Sequence, residues 1–512
     1  MVEKFAKNCW RKLSMHWRPI KRSFQFCLLS VAAVSLVDAS TPRLNLILPR
    51  GVQRGHEYTL KFSGERLADP QQVFLYDSGV EVIDIKSIDN RNVEVTIKVS
   101  PECRLGEHIA QLRTKRGVSD FRSFYVGALQ DIAELEPNQS MREAQPIAFN
   151  RTINGVITNE DVDVYKINAK QGERLSVEIE AIRLGDMFDP FIALLDQNRF
   201  EVAVSDDSSL GKQDGIISTL IPEDGEYFIL VREAAYGGNP RCRYRLHVGN
   251  FPRPTVAFPA GGPAETQCDV TFLGDPTGDL KNKIQAHPQT AFRDGIFVSD
   301  EFGIVPTPVE FRISNLENYL ENEPNDDRKL VKEPFEVPCA FNGVIGQPRD
   351  TDYFKFSCKK GQVLDVECFA RRIGSGLDPI IFIFNEKGRR VANDDDSRRP
   401  DSYLRFTAPT DGHYFVSVKD HLQRGQVDFA YRIEVDAVRP KLKISIPRVD
   451  RFSQLRQQIC IPRGNRFATL ISADRQNFSG PLELLPIDLP DHVSVDARTM
   501  AGNLNLMPVV FS

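Results

Sequence analysis

Tryptophan is nearly missing from this chain of 512 residues, and both copies, Trp10 and Trp17, fall in its first 17 positions. An aromatic sugar platform must therefore be built from Tyr or Phe, such as Tyr236, Tyr319 or Tyr403. The eight histidines are scattered singly, and His56-Glu57 is not followed by a second His at the spacing a zinc-binding helix requires. There is no Gly-x-Ser-x-Gly elbow, no Cys-x-x-Cys and no glycine-rich loop that would cradle phosphate. These absences leave no catalytic arrangement in residues 1–512, and no residue stands out as a nucleophile. Of nine cysteines, the seven beyond residue 39 are odd in number and irregularly spaced, which fits neither a disulfide framework nor a zinc set; buried thiols are expected, with one bridge within the second repeat as the alternative.

What is present starts with a leader. Lys4, Lys7, Arg11, Lys12, Arg18, Lys21 and Arg22 precede an apolar run from Phe24 to Val37, closed by Val37-Asp38-Ala39. This order is that of a secretory signal peptide over residues 1–39, and the run is shorter than the ~20 residues a membrane span needs. Left uncleaved, it would serve as an anchor. Without it, 58 basic and 68 acidic residues remain, a formal net charge of −10. An acidic, exported product fits neither nucleic acid nor, once the leader is gone, a membrane surface.

The body of the chain contains one passage twice. Glu134-Leu135-Glu136-Pro137-Asn138 returns as Glu321-Asn322-Glu323-Pro324-Asn325, 187 positions on, and Asp161-Val162-Asp163-Val164-Tyr165 returns as Asp350-Thr351-Asp352-Tyr353-Phe354. The register continues through Gly172 and Gly361, Asp189-Pro190 and Asp378-Pro379, Asp206-Asp207 and Asp395-Asp396, and Asp224-Gly225 and Asp411-Gly412. Leu175–Ala181 and Val363–Phe369 alternate with period two, which predicts strands with one face in a core and one in water. Phe191–Leu195 and Ile380–Phe384 are short apolar runs that predict central strands. Each repeat is then a sandwich of about eight strands. Duplication itself argues against an enzyme, because a catalytic site is normally built once per chain whereas binding and spacer modules are strung in tandem.

The ordered set of Glu-x-Glu-Pro-Asn, Asp-x-Asp-x-Tyr/Phe, Asp-Pro, Asp-Asp, Asp-Gly-x-Tyr-Phe and a terminal Tyr-Arg-Leu/Ile resembles the bacterial pre-peptidase C-terminal (PPC) domain family. The resemblance implies a jelly-roll-like sandwich carried by secreted proteins, some relatives of which bind calcium or extracellular protein. It covers residues 129–250 and 318–437. Residues 43–128, with Pro49-Arg50-Gly51 and the closing Phe124-Tyr125-Val126-Gly127, resemble Ig-like TIG/IPT domains. Residues 251–317 hold the matching place before the second repeat as a short Ig-like domain, since Phe311-Arg312-Ile313 aligns with Phe124-Tyr125-Val126. Residues 438–512 begin a further β domain, with a turn at Ile461–Gly464, and its ending inside the strand-like Pro508–Phe511 points to a continuation. The expected fold is all-β: tandem β-sandwiches, jelly-roll-like repeats alternating with Ig-like domains.

The acidic clusters are the constellation with chemical content. If the lead-in crosses the loop before the strand near Val164, Glu134, Glu136, Asn138, Asp161 and Asp163 converge, and Glu321, Glu323, Asn325, Asp350 and Asp352 repeat the set. Ca²⁺ takes six to eight hard oxygen ligands, which such a set supplies. The competing assignment is a solvated linker with turn-forming aspartates. Asp206-Asp207 and Asp394–Asp396 suit solvated hairpin tips better than a metal. The expectation is an exported, non-catalytic extracellular array, calcium-stabilised, for which extracellular protein or polysaccharide is the expected partner. The alternative is the non-catalytic arm of a larger secreted peptidase. Cleavage after Ala39 removes both tryptophans, so exported protein should fluoresce with tyrosine emission alone; a tryptophan band from secreted material would refute cleavage.

Overall fold

The computed structural model describes residues 41–512 except 187, 212, 287–294, 448–460, 462 and 497–498. The leader, Cys460 and Pro462, and with Pro462 part of the turn expected at residues 461–464, lie outside the described residues. Strand makes up 51% and helix 1%, so the chain is all-β, in a series of separate sheets. Among the described residues no helix is long and apolar enough to cross a membrane.

Both repeats are two-sheet sandwiches with one topology. In the first, one sheet runs Gln130–Ala133, Arg151–Val156, Arg243–Gly249, Arg174–Glu180, Ile216–Leu220; the other runs Gln145–Pro146, Asp163–Ala169, Gly225–Glu233, Pro190–Leu195, Glu201–Ser205. The second runs Glu317–Leu320, Cys339–Val344, Ala430–Ala437, Val363–Phe369, Tyr403–Thr407 against Asp352–Cys358, Gly412–Asp420, Pro379–Asn385, Arg390–Asp394. The strand counts are ten and nine rather than eight, because the lead-in itself adds short strands. Inward residues of alternating strands make each core: Ile153, Tyr165, Leu175, Ile192, Leu194 and Tyr244 in the first, Phe341, Phe354, Val366, Ile381, Val416 and Tyr431 in the second. The described cysteines form no disulfide, and five of the six are buried.

Residues 43–127 form another pair of sheets, with Leu44, Leu60, Phe62, Val95 and Phe124 inside. There Gly51–Gln53 pairs in parallel with Arg122–Gly127, placing Gly51 opposite Tyr125. Gly261–Gly262 pairs in parallel with Arg312–Ile313 in the same manner, placing Gly261 opposite Arg312, which is 187 residues beyond Tyr125. The described part of residues 251–313 also contains a three-stranded sheet and a small hairpin. At the far end, Leu506–Phe511 pairs with Phe467–Gln476 within a four-stranded sheet.

One expectation needs correction. Arg174–Glu180 alternates in sequence, yet every residue of it is buried. Its polar face is covered by neighbouring segments: the Ser176 hydroxyl donates to Phe251 O at 3.0 Å, and Glu178 meets Arg253 at 3.1 Å. Alternation marked two environments correctly, but the second is a polar interface instead of water. In the second repeat Val363–Phe369 keeps a partly exposed polar face.

The N-terminal sandwich reaches the first repeat through Arg50, which donates to Leu184 O and lies 3.5 Å from Asp186, while Arg243 stands 4.0 Å away on the other side. Burial pushes the Asp186 carboxyl up to about 6, against the opposing pull of both arginines. A raised carboxyl binds its proton more tightly folded than unfolded. Its contribution to stability is therefore complete below about pH 4 and lost as pH rises through about 6. Thermal melts should show the wild type losing ground to Asp186→Asn across that window. A difference in melting temperature that stays constant from pH 4 to pH 7 would remove this assignment.

Candidate metal centre

The lead-in changes sheets at one end of each sandwich. Gln130–Ala133 runs in parallel beside Arg151–Val156, after which the chain crosses to pair Gln145–Pro146 with Asp163–Ala169 in the opposite sheet. The crossing segment is Glu-x-Glu-Pro-Asn, and it is stitched down by hydrogen bonds. Val156 N donates to Glu134 at 3.0 Å, Asn138 N donates to Glu136 at 3.0 Å, and Val164 N donates to Asn138 O at 3.0 Å. The second repeat repeats all three: Val344 N to Glu321 at 2.9 Å, Asn325 N to Glu323 at 2.9 Å, and Tyr353 N to Asn325 O at 3.2 Å.

This stitching gathers Glu134, Glu136 and Asp163, with one carboxylate oxygen from each inside a 4.8 Å span, and Glu321, Glu323 and Asp352 likewise. Ligands on opposite sides of a calcium ion at ~2.4 Å stand about that far apart. Asn138 and Asn325 are buried beside these groups, and neither side-chain amide has a hydrogen-bond partner. Asp163 Oδ1 and Asp352 Oδ1 are also buried and unpartnered. Orphaned buried oxygens are costly, and hard oxygen donors of this kind suit a calcium ion.

Asp161 and Asp350 do something else. Asp161 accepts from Thr158 N at 3.0 Å and from the Thr158 hydroxyl at 2.9 Å, and Asp350 accepts from Gly346 N at 2.9 Å. They tie the loop before the strand, and neither is among the gathered carboxylates. The second acidic set also ties turns: Asp394 accepts from Ser397 N at 3.1 Å and Tyr403 N at 2.8 Å.

Burial, followed by the adjacent Glu134, drives the Asp163 carboxyl far above the usual range. Burial followed by Glu321 does the same to Asp352. Each pair holds charge that only a proton or a cation neutralises. The sequence reading missed the hydroxyls that share this role. Tyr244 donates toward Asp163 at 2.5 Å and Glu134 at 2.9 Å, and Tyr165 donates to Glu134 at 3.0 Å. Tyr431 donates to Asp352 at 2.6 Å, but Phe354 replaces Tyr165 in the second repeat. The recurring Tyr-Arg-Leu/Ile was the available signal. Gly155 and Gly343 make room for these tyrosines, since a Cβ at either would overlap the Tyr244 or Tyr431 ring.

Residues 161–233 and 350–420 both match the family model described as "Bacterial pre-peptidase C-terminal domain". The chain carries two PPC domains. A protein named as a probable subtilase-type serine protease of Deinococcus radiodurans is 37% identical over 100 residues, which is 19% of this chain and 14% of that protein. The chain thus spans about a seventh of that relative's length. Among solved structures, the PPC domain of a Bacillus anthracis collagenase is 15% identical, covers 23% of this chain and 100% of its own, and superposes with a TM-score of 0.18. A secreted serine protease of Vibrio cholerae is 14% identical, covering 41% of this chain and 49% of its own, with a TM-score of 0.16. These superpositions carry no functional argument.

If Gly155 is needed for the Tyr244 hydroxyl to reach the PPC carboxylates, Gly155→Ala should cost about 1–3 kcal/mol by overpacking. Denaturant unfolding checks this, and a cost under about 0.5 kcal/mol would show that the tyrosine has room to move aside.

Proposed function

We propose that the chain is an exported, non-catalytic extracellular array whose PPC sandwiches each hold one Ca²⁺ at the sheet-switching lead-in. The observation that carries this reading is the pair of unpartnered buried oxygens, on Asn138 with Asp163 and on Asn325 with Asp352, beside carboxylates that burial has made costly to ionise. Glu134, Glu136, Asn138 and Asp163 would hold the ion in the first domain, and Glu321, Glu323, Asn325 and Asp352 in the second. Bound there, the ion supplies positive charge that replaces shared protons and pins the crossing segment. Calcium, in this reading, is structural. The match of 100 residues to a subtilase-type protease favours a second reading, in which the array is the non-catalytic arm of a secreted peptidase. The complete reading frame distinguishes the two.

Calorimetry on the whole chain should register two Ca²⁺ sites with dissociation constants of ~10⁻⁴ to 10⁻³ M, the range of extracellular modules. Since only folded protein assembles the ligands, calcium at tenfold its dissociation constant should stabilise each domain by about 1.4 kcal/mol. Asp163→Asn and Asp352→Asn should each remove one site and leave the other. Absence of both heat and thermal stabilisation at millimolar calcium would reduce the clusters to hydrogen-bonded linkers.

A further inference from the structure

The outer face of one sheet has diverged between the two PPC domains. In the first, Val164 and Ala193 flank Leu230, and Leu195 lies opposite Phe228. In the second, Tyr353 and Phe382 flank Ser417, and Phe384 lies opposite Phe415. Three aliphatic positions have thus become rings. The first face is closed off, with Ala144, Val164 and Phe228 forming a buried cluster against which Met141, Leu195 and Leu230 pack. In the second the three rings are half-buried, with centroids 6.0 Å apart for Tyr353 and Phe384 and 6.2 Å for Phe382 and Phe384.

Charge has moved in the same place. Met141 of the first lead-in corresponds to Arg328, and Glu201, which follows the bulge opposite Leu195, corresponds to Arg390 opposite Phe384. Arg328 lies 5.2 Å from the Phe384 centroid, while Arg390 and Lys419 lie 5.7 and 5.5 Å from that of Phe382. Asp327 is nearby, but Arg328 acts on Tyr353 more strongly. At the sheet corner of the first domain, Phe191 is capped by Arg232 at 3.9 Å.

A row of rings on a sheet surface, tilted 44° and 30° to one another, offers apolar stacking area, and cations around it favour an anionic partner. We propose that this face of the second PPC domain binds an acidic polysaccharide, with pyranose rings stacking on Tyr353, Phe382 and Phe384 and uronate carboxylates pairing with Arg328, Arg390 and Lys419. An acidic peptide would meet the cations but has no repeating apolar ring face for the aromatic row. The proposal does not rest on calcium, because none of these six side chains is among the oxygen donors of the candidate metal centre.

The test is affinity electrophoresis of the full chain through gels containing polygalacturonate, hydroxyethylcellulose or poly-glutamate. The first domain supplies substitutions that its own sandwich already accommodates. Tyr353→Val with Phe382→Ala and Phe384→Leu removes the rings, and Arg328→Met with Arg390→Glu cancels the positive charge. Polygalacturonate should retard the native chain, less so with added salt, and each variant should bind at least about tenfold more weakly, or about 1.4 kcal/mol. Thermal melting confirms that each variant is folded. Absence of retardation by polygalacturonate, or retardation that survives loss of the rings, overturns the proposal. Equal retardation by poly-glutamate overturns it in favour of an acidic peptide, and equal retardation by hydroxyethylcellulose shows that charge plays no part.

Discussion

A carboxylate with no exposed surface governs how this chain is put together. Glu178 sits in the first PPC domain, yet its partners come from both sides of a junction: Arg183 at 3.3 Å from its own domain, Arg253 at 3.1 Å and the Thr307 hydroxyl from the segment that follows. Burial alone would raise its pKa, but Arg253, Arg183 and His247 outweigh burial and hold the carboxyl below its usual range. Removing one member of such a buried set typically costs 3–5 kcal/mol, because the others stay behind uncompensated. The first PPC domain and residues 251–317 are therefore committed to one another. Nearby, Arg174 reaches Asp275 at 2.9 Å and Asp300 at 2.5 Å, adding a second buried tie across the same seam.

The second domain solves the same problem with different residues. Arg312 pairs with Glu434 at 2.7 Å, Arg432 pairs with the same carboxylate at 2.9 Å, and Arg432 also donates to Asn318. Both junctions rest on arginine forks, which satisfy two acceptors at once and lose little conformational freedom in doing so. The 3₁₀ turns after Glu180 and after Phe369 are likewise held by one buried carboxylate each, Asp214 on Ile182 N at 2.9 Å and Asp401 on Arg371 N at 2.8 Å.

Much of this was legible in one sequence because it was written twice. Period-two patterning located Arg174–Glu180 and Val363–Phe369 to within a residue, and the repeated Glu-x-Glu-Pro-Asn marked the crossing segment. The gathering of Glu134, Glu136 and Asp163 followed from connectivity alone. Other features were not legible, for definite reasons. Whether Ser176 and Glu178 face water depends on what docks against them, which alternation does not encode. Asp161 and Asp163 differ by two positions and thus share a strand direction in any extended reading, but Asp161 lies in the loop before the strand, where Thr158 N claims it. Tyr244 acts across the sandwich from 81 residues away, and its partner becomes visible only once the two sheets are stacked.

The placement of the first and last strands has a mechanical consequence. Gln130 lies beside Arg151, which lies beside Val248, so the chain enters and leaves the first sandwich at the same end of one sheet. Glu317, Cys339 and Val435 repeat this in the second. Tension along the chain would load the hydrogen bonds flanking the middle strand one pair at a time, as in opening a zip, instead of shearing a whole ladder together. Each sandwich hangs to one side of the line of force, with its carboxylate cluster at the unloaded end. Under pull, the lead-in strand peels toward Glu134, and the carboxylate cluster becomes the last clamp it meets.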